Sequence, residues 1–360
     1  MLDSIRLQHF RSYVDDSFEL GHGVNIIVGP NASGKTNLLE AILVVSRGGS
    51  YRAKDSEMIG FDVPWARLEA GLPGSERIVK LEWQGSTVKR SFEINEQVFQ
   101  RLSLQKTIPI VLFEPNHLSL LTGSPEQRRN FLDDLIEQTV PGFGTTKRLY
   151  KRVLSQRNAL LKKGYHQAAQ QIFVWNLRLS ELGGKIAQER TKLIEAINEH
   201  ATETYRGLSS TDATVTFTYD SNLSLEQYET SLLHALEKNL ERDCLIGHTG
   251  AGPHRDDMRV ILNGRPAEET ASRGETRTVV LMLKIIELQL LTEARGTTPL
   301  LLLDDVFSEL DGKRRHALTS YLQHYQTFIT TTDADVVLKH FTDSCNIIPL
   351  TGPRPGKAAQ

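Results

Sequence analysis

Residues 29–36 read Gly29-Pro30-Asn31-Ala32-Ser33-Gly34-Lys35-Thr36 and match G-x-x-x-x-G-K-[ST], a loop that wraps the phosphates of a nucleotide. Residues 24–28 are predicted to form a short buried strand before it. Residues 36–46 are predicted to form a helix after it, ending near Gly48-Gly49. Backbone N–H groups of such a loop and the positive end of the helix dipole attract anions. The stretch, with the adjacent Asn37, predicts a nucleotide site with Lys35 at the β- and γ-phosphates and Thr36 as a Mg²⁺ ligand.

A second stretch, Leu300 to Asp305, supplies the acidic side chains that a phosphate loop needs from a neighbouring strand. Four leucines predict a buried strand, and Asp304 at its carboxyl end is placed to hold Mg²⁺, directly or through water. Asp305 comes next, where it can orient or deprotonate the water that attacks a γ-phosphate. Because Asp304 follows Lys35 by 269 residues (304 minus 35), both ends of the chain are predicted to build the site.

The overall composition is that of a globular chain. Of its 360 residues, 39% are hydrophobic and 24% are charged, which excludes a largely disordered protein. No apolar run approaches the roughly 18 residues of a membrane span, and residues 1–4 show no secretory leader. The two cysteines, Cys244 and Cys345, lie far apart and indicate a reducing compartment. These features predict a cytoplasmic protein with no membrane partner.

The order of patterns along the chain predicts an α/β fold with an insertion. Strand patterns and the phosphate loop occupy about the first 110 residues, long helical patterns follow Gly123, and strand character returns at Met258. We therefore expect residues 1–124 and 246–351 to form one domain. Residues 125–245 are expected to form a mostly helical arm, and residues 352–360 a disordered tail.

Local charge differs from net charge in this chain. The net charge of −2 gives no argument for a nucleic-acid partner, but the stretch between Glu137 and Glu181 lacks acidic residues and is basic. Such segregation is the pattern expected where phosphates bind, although a solvated helix surface explains it equally well. The candidate DNA contacts are Lys147, Arg148, Lys151, Arg152, Arg157, Lys162 and Lys163.

Ser272-Arg273-Gly274-Glu275 stands before a strongly apolar helical stretch. In local terms it is a capping box, with Ser272 at the N-cap and Glu275 three residues later. A helix N-terminus of this kind can also bind an anion, here the γ-phosphate of a nucleotide held by a partner subunit. Spacing alone leaves both interpretations open.

In combination, these motifs resemble the ABC-type ATPase heads of the SMC group and, more closely, the RecF family of bacterial DNA replication and repair proteins. The ABC-type features are residues 7–13, the phosphate loop, residues 272–275 and residues 302–311. Residues 123–133, 156–161 and 252–257 match the RecF pattern. The resemblance spans residues 5 to about 350, and the insertion is too short for the long coiled-coil arm of SMC proteins.

The resemblance implies an ABC-type P-loop ATPase head with a mixed sheet, which binds ATP and Mg²⁺ and carries a helical arm. Arg11 is expected near the nucleotide. The segment Ser272, Arg273, Gly274 and Glu275 would be the signature motif that clamps ATP across an ATP-dependent homodimer. The segment Ser308, Glu309, Leu310 and Asp311 would be the loop that communicates between the subunits.

The resemblance also implies partners and a reaction rate. RecF proteins bind double-stranded DNA and single-strand/double-strand junctions without base specificity. They act with RecR and RecO to load RecA onto gapped DNA in DNA-damage repair, replication and the SOS response. Asp305 stands where transporters place a longer glutamate, and residues 330–332 stand where they place a switch histidine, so weak, slow ATP hydrolysis is expected. The alternatives are another SMC-like chromosome-maintenance ATPase and an ABC transporter ATPase subunit.

Residues 252–257 contain two polar side chains whose role the sequence leaves open. Arg255 is expected either to form a structural salt bridge with Asp256 or Asp257, or to act as a functional cation. His254 has no companion at metal-ligand spacing and is given no catalytic role.

Overall fold

The computed structural model describes residues 1–209, 211–322, 324–333, 337, 339 and 345–352. These residues belong to two compact units, the first built from residues 1–118 and residues after 286, the second from residues 119–286. In the described part of the chain, no helix combines the length and the apolar character that a membrane crossing needs.

The strands in chain order are β1 (Ser4–Phe10), β2 (Tyr13–Glu19), β3 (Val24–Val28), β4 (Trp65–Leu72), β5 (Ser75–Gln84), β6 (Thr87–Ile94), β7 (Gln97–Phe99), β8 (Ile110–Phe113), β9 (Val215–Asp220), β10 (Asp257–Leu262), β11 (Arg265–Pro266), β12 (Leu300–Asp304), β13 (Thr327–Thr331) and β14 (Cys345–Pro349). The helices are α1 (Lys35–Arg47), α2 (Asp55–Met58), α3 (Pro125–Thr139), α4 (Phe143–Leu161), α5 (Tyr165–Ser209), α6 (Tyr228–Lys238), α7 (Leu240–Ile246), α8 (Ala267–Thr270), α9 (Arg273–Arg295), α10 (Val306–Glu309) and α11 (Gly312–Leu322).

A parallel sheet positions the nucleotide loop in the first unit. Its strand order is β14-β3-β13-β12-β8, and each neighbouring pair is parallel. β12 is buried along its whole length, which is why it reads as a continuous apolar run rather than an alternation. Because parallel strands end at the same edge, the loop after β3 and the carboxylates that end β12 share one edge, with β13 between them.

A second, antiparallel sheet completes the first unit, with the order β2-β1-β4-β5-β6-β7. Helix α1 contributes to a core shared with both sheets. Its apolar residues pack with side chains from the antiparallel and parallel strands, among them Leu7, Leu68, Leu302 and Phe328. This burial explains why α1 is apolar around much of its circumference: Leu38, Leu39, Ile42, Val44 and Val45 are nearly fully buried.

The second unit is mostly helical. The 45-residue α5 packs along α4, α6 and β9. A three-stranded antiparallel sheet of order β11-β10-β9 completes it. Residues 246–286, placed with the head on sequence, therefore cluster with the helices, because β10 pairs with β9 from Val215 to Asp220.

Most predicted elements are confirmed, with three differences. The hairpin turning at residues 84–86 and the helix after the phosphate loop form as expected. The helix predicted over residues 225–241 is wrong in extent, because α6 ends at Lys238 and α7 begins after Asn239. The last predicted core strands are each displaced by about one residue, and most of the predicted disordered tail, residues 353–360, lies outside the described residues.

Candidate nucleotide site

The phosphate loop begins where β3 ends. The Gly29 N–H donates to Thr331 O on β13 at 3.3 Å, and the Ser33 N–H donates to Pro30 O at 3.2 Å. Ala32 and Gly34 have φ values of 64° and 98°, a left-handed geometry that turns the chain sharply before α1. A β-carbon on Gly29 would lie 2.6 Å from Ser33 Oγ and 2.7 Å from Leu350 O, so this position has no room for a side chain.

Lys35 and Ser33 bring polar atoms into the loop from buried positions. Lys35 is 5% exposed, and its Nζ donates to Gly29 O at 2.8 Å and to Pro30 O at 3.1 Å. Ser33 is fully buried, and its Oγ has no hydrogen-bond partner. A buried hydroxyl without a partner is costly unless a ligand satisfies it, and a phosphate oxygen fits that need.

Thr36 and Asp304 meet although 268 residues separate them. The Thr36 hydroxyl donates to Asp304 Oδ1 at 3.1 Å, and Asp304 is 7% exposed. A hydroxyl beside a carboxylate is an oxygen donor set of the kind that Mg²⁺ prefers. Among the described residues, no three His, Cys, Asp or Glu side chains form a metal cluster. The residues present therefore fit a Mg²⁺ that takes few protein ligands and completes its shell with phosphate and water.

Thr330 connects the two carboxylates from β13, the strand between the loop and β12. Its hydroxyl donates to Asp304 Oδ1 at 2.8 Å and accepts the Asp305 N–H at 2.8 Å. Asp305 has φ 52°, an uncommon value for a residue other than glycine, which turns the chain immediately after the strand. Burial and the neighbouring Asp304 raise the pKa of Asp305 above its ordinary value. A carboxylate with a raised pKa at this position is suited to accept a proton.

Arg11, predicted near the nucleotide, lies on the helix that follows the loop. Its guanidinium makes two 2.8 Å hydrogen bonds to the fully buried Glu40, one turn after Thr36 on α1. Arg52 also donates to Glu40, at 3.0 Å. Burial alone would raise the pKa of Glu40, but these hydrogen bonds outweigh it and leave the pKa below its ordinary value. Arg11 and Arg52 are thus oriented by one carboxylate.

Asn37 is joined to the same network. Its amide donates to Ser12 Oγ at 3.1 Å and accepts from Arg52 at 2.9 Å. Tyr13 donates its hydroxyl to Gly34 O at 3.0 Å, so β2 also supports the loop. Sequence reasoning missed Tyr13, Glu40 and Arg52, since only their proximity to the predicted residues identifies them.

The capping box at the start of α9 is present in full. The Ser272 N–H donates to Glu275 Oε2 at 2.8 Å, and the Glu275 N–H donates to Ser272 Oγ at 3.3 Å. The Ser272 hydroxyl lowers the pKa of Glu275. Ser272 and Arg273 remain exposed, and Gly274 is half-buried. The local role is confirmed, and the predicted role toward a partner subunit stays a prediction.

Residues 308–311 link α10 to α11. Glu309 ends α10, and Leu310 is buried. Asp311 precedes α11 and accepts the Arg314 N–H at 3.0 Å, an interaction that caps the helix and lowers the pKa of Asp311. Ser308 lies within α10.

The basic candidates of α4 divide into an exposed set and a paired set. The exposed set has one side chain bonded locally, since Arg148 donates to Thr145 Oγ1 at 2.9 Å. Lys147 belongs to the paired set, with ion pairs to Glu137 and, at 3.7 Å, to Asp133. The exposed candidates are Arg148, Lys151, Arg152, Lys162 and Lys163.

Arg157 is fully buried, which corrects its assignment as a DNA contact. Its guanidinium pairs with the buried Asp243 at 2.8 Å and donates to Asn176 Oδ1 and Thr249 Oγ1, both at 2.7 Å. The spacing held a signal for this, since Arg157 stands four residues after the buried Val153 and four before the buried Leu161. A buried, neutralised arginine leaves no charge for a phosphate on the surface.

Known proteins resemble this chain over almost its full length. A family described as an AAA domain matches residues 4–241. DNA replication and repair protein RecF of Heliobacterium modesticaldum is 37% identical, with 92% of each chain covered. RecF of Halothermothrix orenii is 35% identical with the same coverage. A solved structure named "recombination mediator protein RecF-ATPrS in RecFOR pathway" superposes with a TM-score of 0.84 at 29% identity, covering 92% of each chain. An Smc head bound to the C-winged helix domain of ScpA shares the fold alone, at 14% identity and a TM-score of 0.52 over 94% of this chain and 92% of that chain.

The parallel sheet, the loop at the end of β3 and the carboxylate at the end of β12 define an ABC-type P-loop ATPase head with a mixed α/β fold. Within that class, the extent of the similarity separates the alternatives left open by the sequence. This chain belongs to the RecF family of DNA replication and repair proteins.

Proposed function

We propose that this protein is an ATP-dependent DNA-binding protein of recombinational repair, and that ATP joins two copies of its head. The observation that carries the proposal is the meeting of Thr36 and Asp304 beside a phosphate loop that holds a buried hydroxyl without a partner. Relatives at 34–37% identity named as DNA replication and repair proteins support it. We further propose that the first compact unit is the ATPase head and the second the DNA-binding arm.

In the proposed site, residues 29–37 hold the triphosphate of ATP. Lys35 neutralises phosphate charge, while Thr36 and Asp304 hold Mg²⁺, whose positive charge offsets charge that develops on the phosphates. The Thr330 hydroxyl fixes the position of Asp304 and of the Asp305 backbone. Asp305, with its raised pKa, orients water or takes up its proton. Weak hydrolysis fits this arrangement, because an aspartate reaches less far than the glutamate of faster ABC-type enzymes.

We propose that hydrolysis releases a dimer formed around ATP. In this scheme Ser272 and Gly274, at the N-terminus of α9, contact the γ-phosphate held by the other subunit. Residues 308–311 follow directly on the two carboxylates of β12, which suits them to report the state of the nucleotide to a partner. The exposure of Ser272 and Arg273 is consistent with such a contact.

The exposed residues of α4 are proposed as contacts for the DNA backbone. Arg148, Lys151, Arg152 and Lys162 recur at intervals that place them on one face of the helix, over a length of about 21 Å at 1.5 Å per residue. None of them forms an ion pair within the described residues. A row of cations that read no bases would bind duplex or gapped DNA through its phosphates, with affinity that falls steeply with salt.

The proposed pathway partners are RecR and RecO, with which this protein would help to load RecA at gapped DNA. Support comes from the similar protein whose name places it in the RecFOR pathway. Base-specific recognition forms no part of the proposal.

The experiment that tests the nucleotide-dependent part compares the wild-type protein with Lys35→Ala. Oligomeric state is measured by sedimentation with and without ATP, alongside binding to gapped, single-stranded and double-stranded DNA. We expect Lys35→Ala to lose both ATP-driven dimerisation and ATP-stimulated DNA binding. Lys89→Ala, a change at an exposed lysine on β6, is the matched control. A Lys35→Ala protein that dimerises with ATP and binds gapped DNA like the parent would refute the proposal.

The contact across the dimer is tested by Ser272→Arg. We expect this variant to bind ATP as the parent does and to remain monomeric, because a long cation replaces a small hydroxyl at the shared phosphate. Ser272→Thr, which keeps the hydroxyl for the capping box, is the control. Retention of ATP-dependent dimers by Ser272→Arg would exclude the clamp.

A further inference from the structure

Residues 249–256, here called the 249–256 segment, connect α7 to β10 and have no part in the nucleotide site. The segment is attached to α4 at its start. Asn158 Oδ1 accepts the Thr249 N–H at 2.9 Å and the Thr249 hydroxyl at 2.7 Å, and the buried Arg157 donates to Thr249 Oγ1 at 2.7 Å. Because Arg157 is held in turn by Asp243, this end of the segment is fixed to a buried ion pair.

The middle of the segment is fixed by a second set of contacts. His254 Nδ1 lies 2.7 Å from the Tyr150 hydroxyl on α4, and its Nε2 lies 3.1 Å from Thr249 O. Gly252 has φ 125°, and a β-carbon there would lie 2.7 Å from the same tyrosine hydroxyl. Arg190 donates to Pro253 O at 2.6 Å. The backbone on both sides of Arg255 is therefore held in one conformation.

The acidic residues that follow Arg255 are both taken by other partners. Asp257 makes two hydrogen bonds to Arg128, at 2.8 and 2.6 Å. Asp256 is buried and accepts hydrogen bonds from three hydroxyl groups, those of Tyr219, Ser221 and Tyr228. The salt bridge expected for Arg255 with one of these neighbours is therefore wrong, because both carboxylates face the interior network.

Arg255 is left exposed on this fixed backbone. Its guanidinium is 3.3–3.4 Å from Thr249 O, and in the described part of the chain it has no ion pair. Arg129, half-buried, donates to Asp256 O at 2.8 Å. Burial and the charge of Arg190 lower the pKa of Arg129, which is the effect of cationic surroundings.

His254 shows that several of these cations surround one point. Burial lowers the pKa of His254 to about 4, and the charges of Arg255, Arg129 and Arg157 lower it further, against a hydrogen bond to Thr249 O that raises it. Arg157 is neutralised by Asp243, whereas Arg255 and Arg129 have no carboxylate within ion-pair distance in the described residues. The histidine is neutral at neutral pH, so the positive charge of this surface comes from the two arginines.

The segment adjoins the exposed face of α4. Asn158, which anchors Thr249, stands seven residues after Lys151 and four before Lys162, so one helix carries the anchor and both lysines on neighbouring turns. We propose that Arg255, with Arg129 beside it, binds a phosphate of the DNA backbone as part of one surface with the exposed residues of α4. A rigidly held, unpaired guanidinium favours a phosphate because little side-chain and backbone freedom is lost on binding. The inference rests on the proposed DNA-binding function and assigns it a surface.

The test measures binding of a duplex with a single-stranded gap at several salt concentrations, with ATP present, for the wild type and three variants. We expect Arg255→Gln to weaken binding by about three- to tenfold and to reduce the slope of log affinity against log salt by about 1, the loss of one phosphate contact. Arg255→Lys keeps the charge and should keep the slope.

Arg259→Gln is the matched control, because Arg259 is an exposed arginine of β10 whose charge is paired with Asp220 at 2.7 Å. It removes the same charge and should leave the salt slope unchanged. Thermal unfolding of each variant shows that the fold is intact. If the wild type binds DNA and Arg255→Gln binds with the same affinity and slope, this surface is wrong while the proposed function stands. If only binding to an acidic protein partner is lost, the assignment to DNA is overturned. If the wild type fails to bind DNA, the proposed function fails first and the inference with it.

Discussion

Replacement of Arg157 by methionine is the sharpest test of the difference between a buried and an exposed arginine on α4. Arg157 and Asp243 are 0% and 2% exposed at their side chains, and their ion pair measures 2.8 Å. The guanidinium also donates to Asn176, Thr249 and Leu236 O. In Arg157→Met the carboxylate of Asp243 loses its counter-charge and keeps the Gly250 N–H at 3.1 Å as its one remaining donor in the described residues.

The expected loss is large because a buried charge without a partner is left behind. Removing one member of a buried pair costs about 3–5 kcal/mol of unfolding free energy, a substantial share of the roughly 5–15 kcal/mol that holds a domain folded. For a unit of this size, that loss lowers Tm by about 10 °C. The double variant Arg157→Met, Asp243→Leu should recover much of it, because an apolar pair of similar volume needs no charge compensation.

Urea denaturation followed by far-ultraviolet circular dichroism measures these changes in the single and double variants. Arg152→Met, at an exposed arginine on the same helix, is the control and should change the unfolding free energy by less than about 0.5 kcal/mol while weakening DNA binding. A double-mutant cycle should give a coupling of at least about 2 kcal/mol between Arg157 and Asp243. The reasoning fails if Arg157→Met loses less than about 1 kcal/mol, or if it weakens DNA binding with its stability intact.

Three further predictions concern other positions. The folded pKa of His254, about 4, lies below the ordinary value of 6.5, so the unfolded state takes up a proton first as pH falls, and about 3 kcal/mol of stability is lost between about pH 6.5 and 4. Because Asp256, with its raised pKa, acts in the opposite direction, the measurement is the difference in urea midpoint between wild type and His254→Gln at pH 7.5 and pH 5, and an equal difference at both would contradict it. Gly29→Ala places a methyl group 2.6 Å from a hydroxyl and 2.7 Å from a carbonyl oxygen, so titration with a fluorescent ATP analogue should show at least a tenfold loss of affinity, about 1.4 kcal/mol. Thr330→Val removes the donor to Asp304 and should cost about 1–3 kcal/mol and raise the Mg²⁺ concentration needed for ATP binding; unchanged Mg²⁺ dependence would show that Asp304 needs no such support.

Features that depend on neighbours along the chain could be predicted from sequence. The phosphate loop requires residues at fixed short spacing, because its backbone turns between one strand and one helix. The capping box of Ser272 and Glu275 likewise closes within four residues, and both of its backbone hydrogen bonds are present. Such contacts are set by local geometry, which the sequence states directly.

The site beyond the loop is a mixed case. The sequence indicated Asp304 by its place at the end of an apolar run, and the order of the parallel sheet brings it to the Thr36 hydroxyl. Glu40 and Tyr13 gave no such signal. Their contacts with Arg11 and Gly34 arise because the antiparallel sheet packs on α1, and nothing in the spacing of these residues records that packing.

Charge was the property that sequence assigned least well. A run of basic residues on α4 looks uniform along the chain, yet Arg157 is buried, Lys147 is paired and Lys151 is exposed. Arg255 shows the reverse, since it stands beside two carboxylates and pairs with neither. Whether a charge is neutralised depends on partners such as Asp243, which stands 86 residues from Arg157 along the chain. The sequence by itself determined the nucleotide loop and the class of ATPase, whereas only the tertiary structure decided which cations remain on the surface, because ion pairs form between segments that folding brings together.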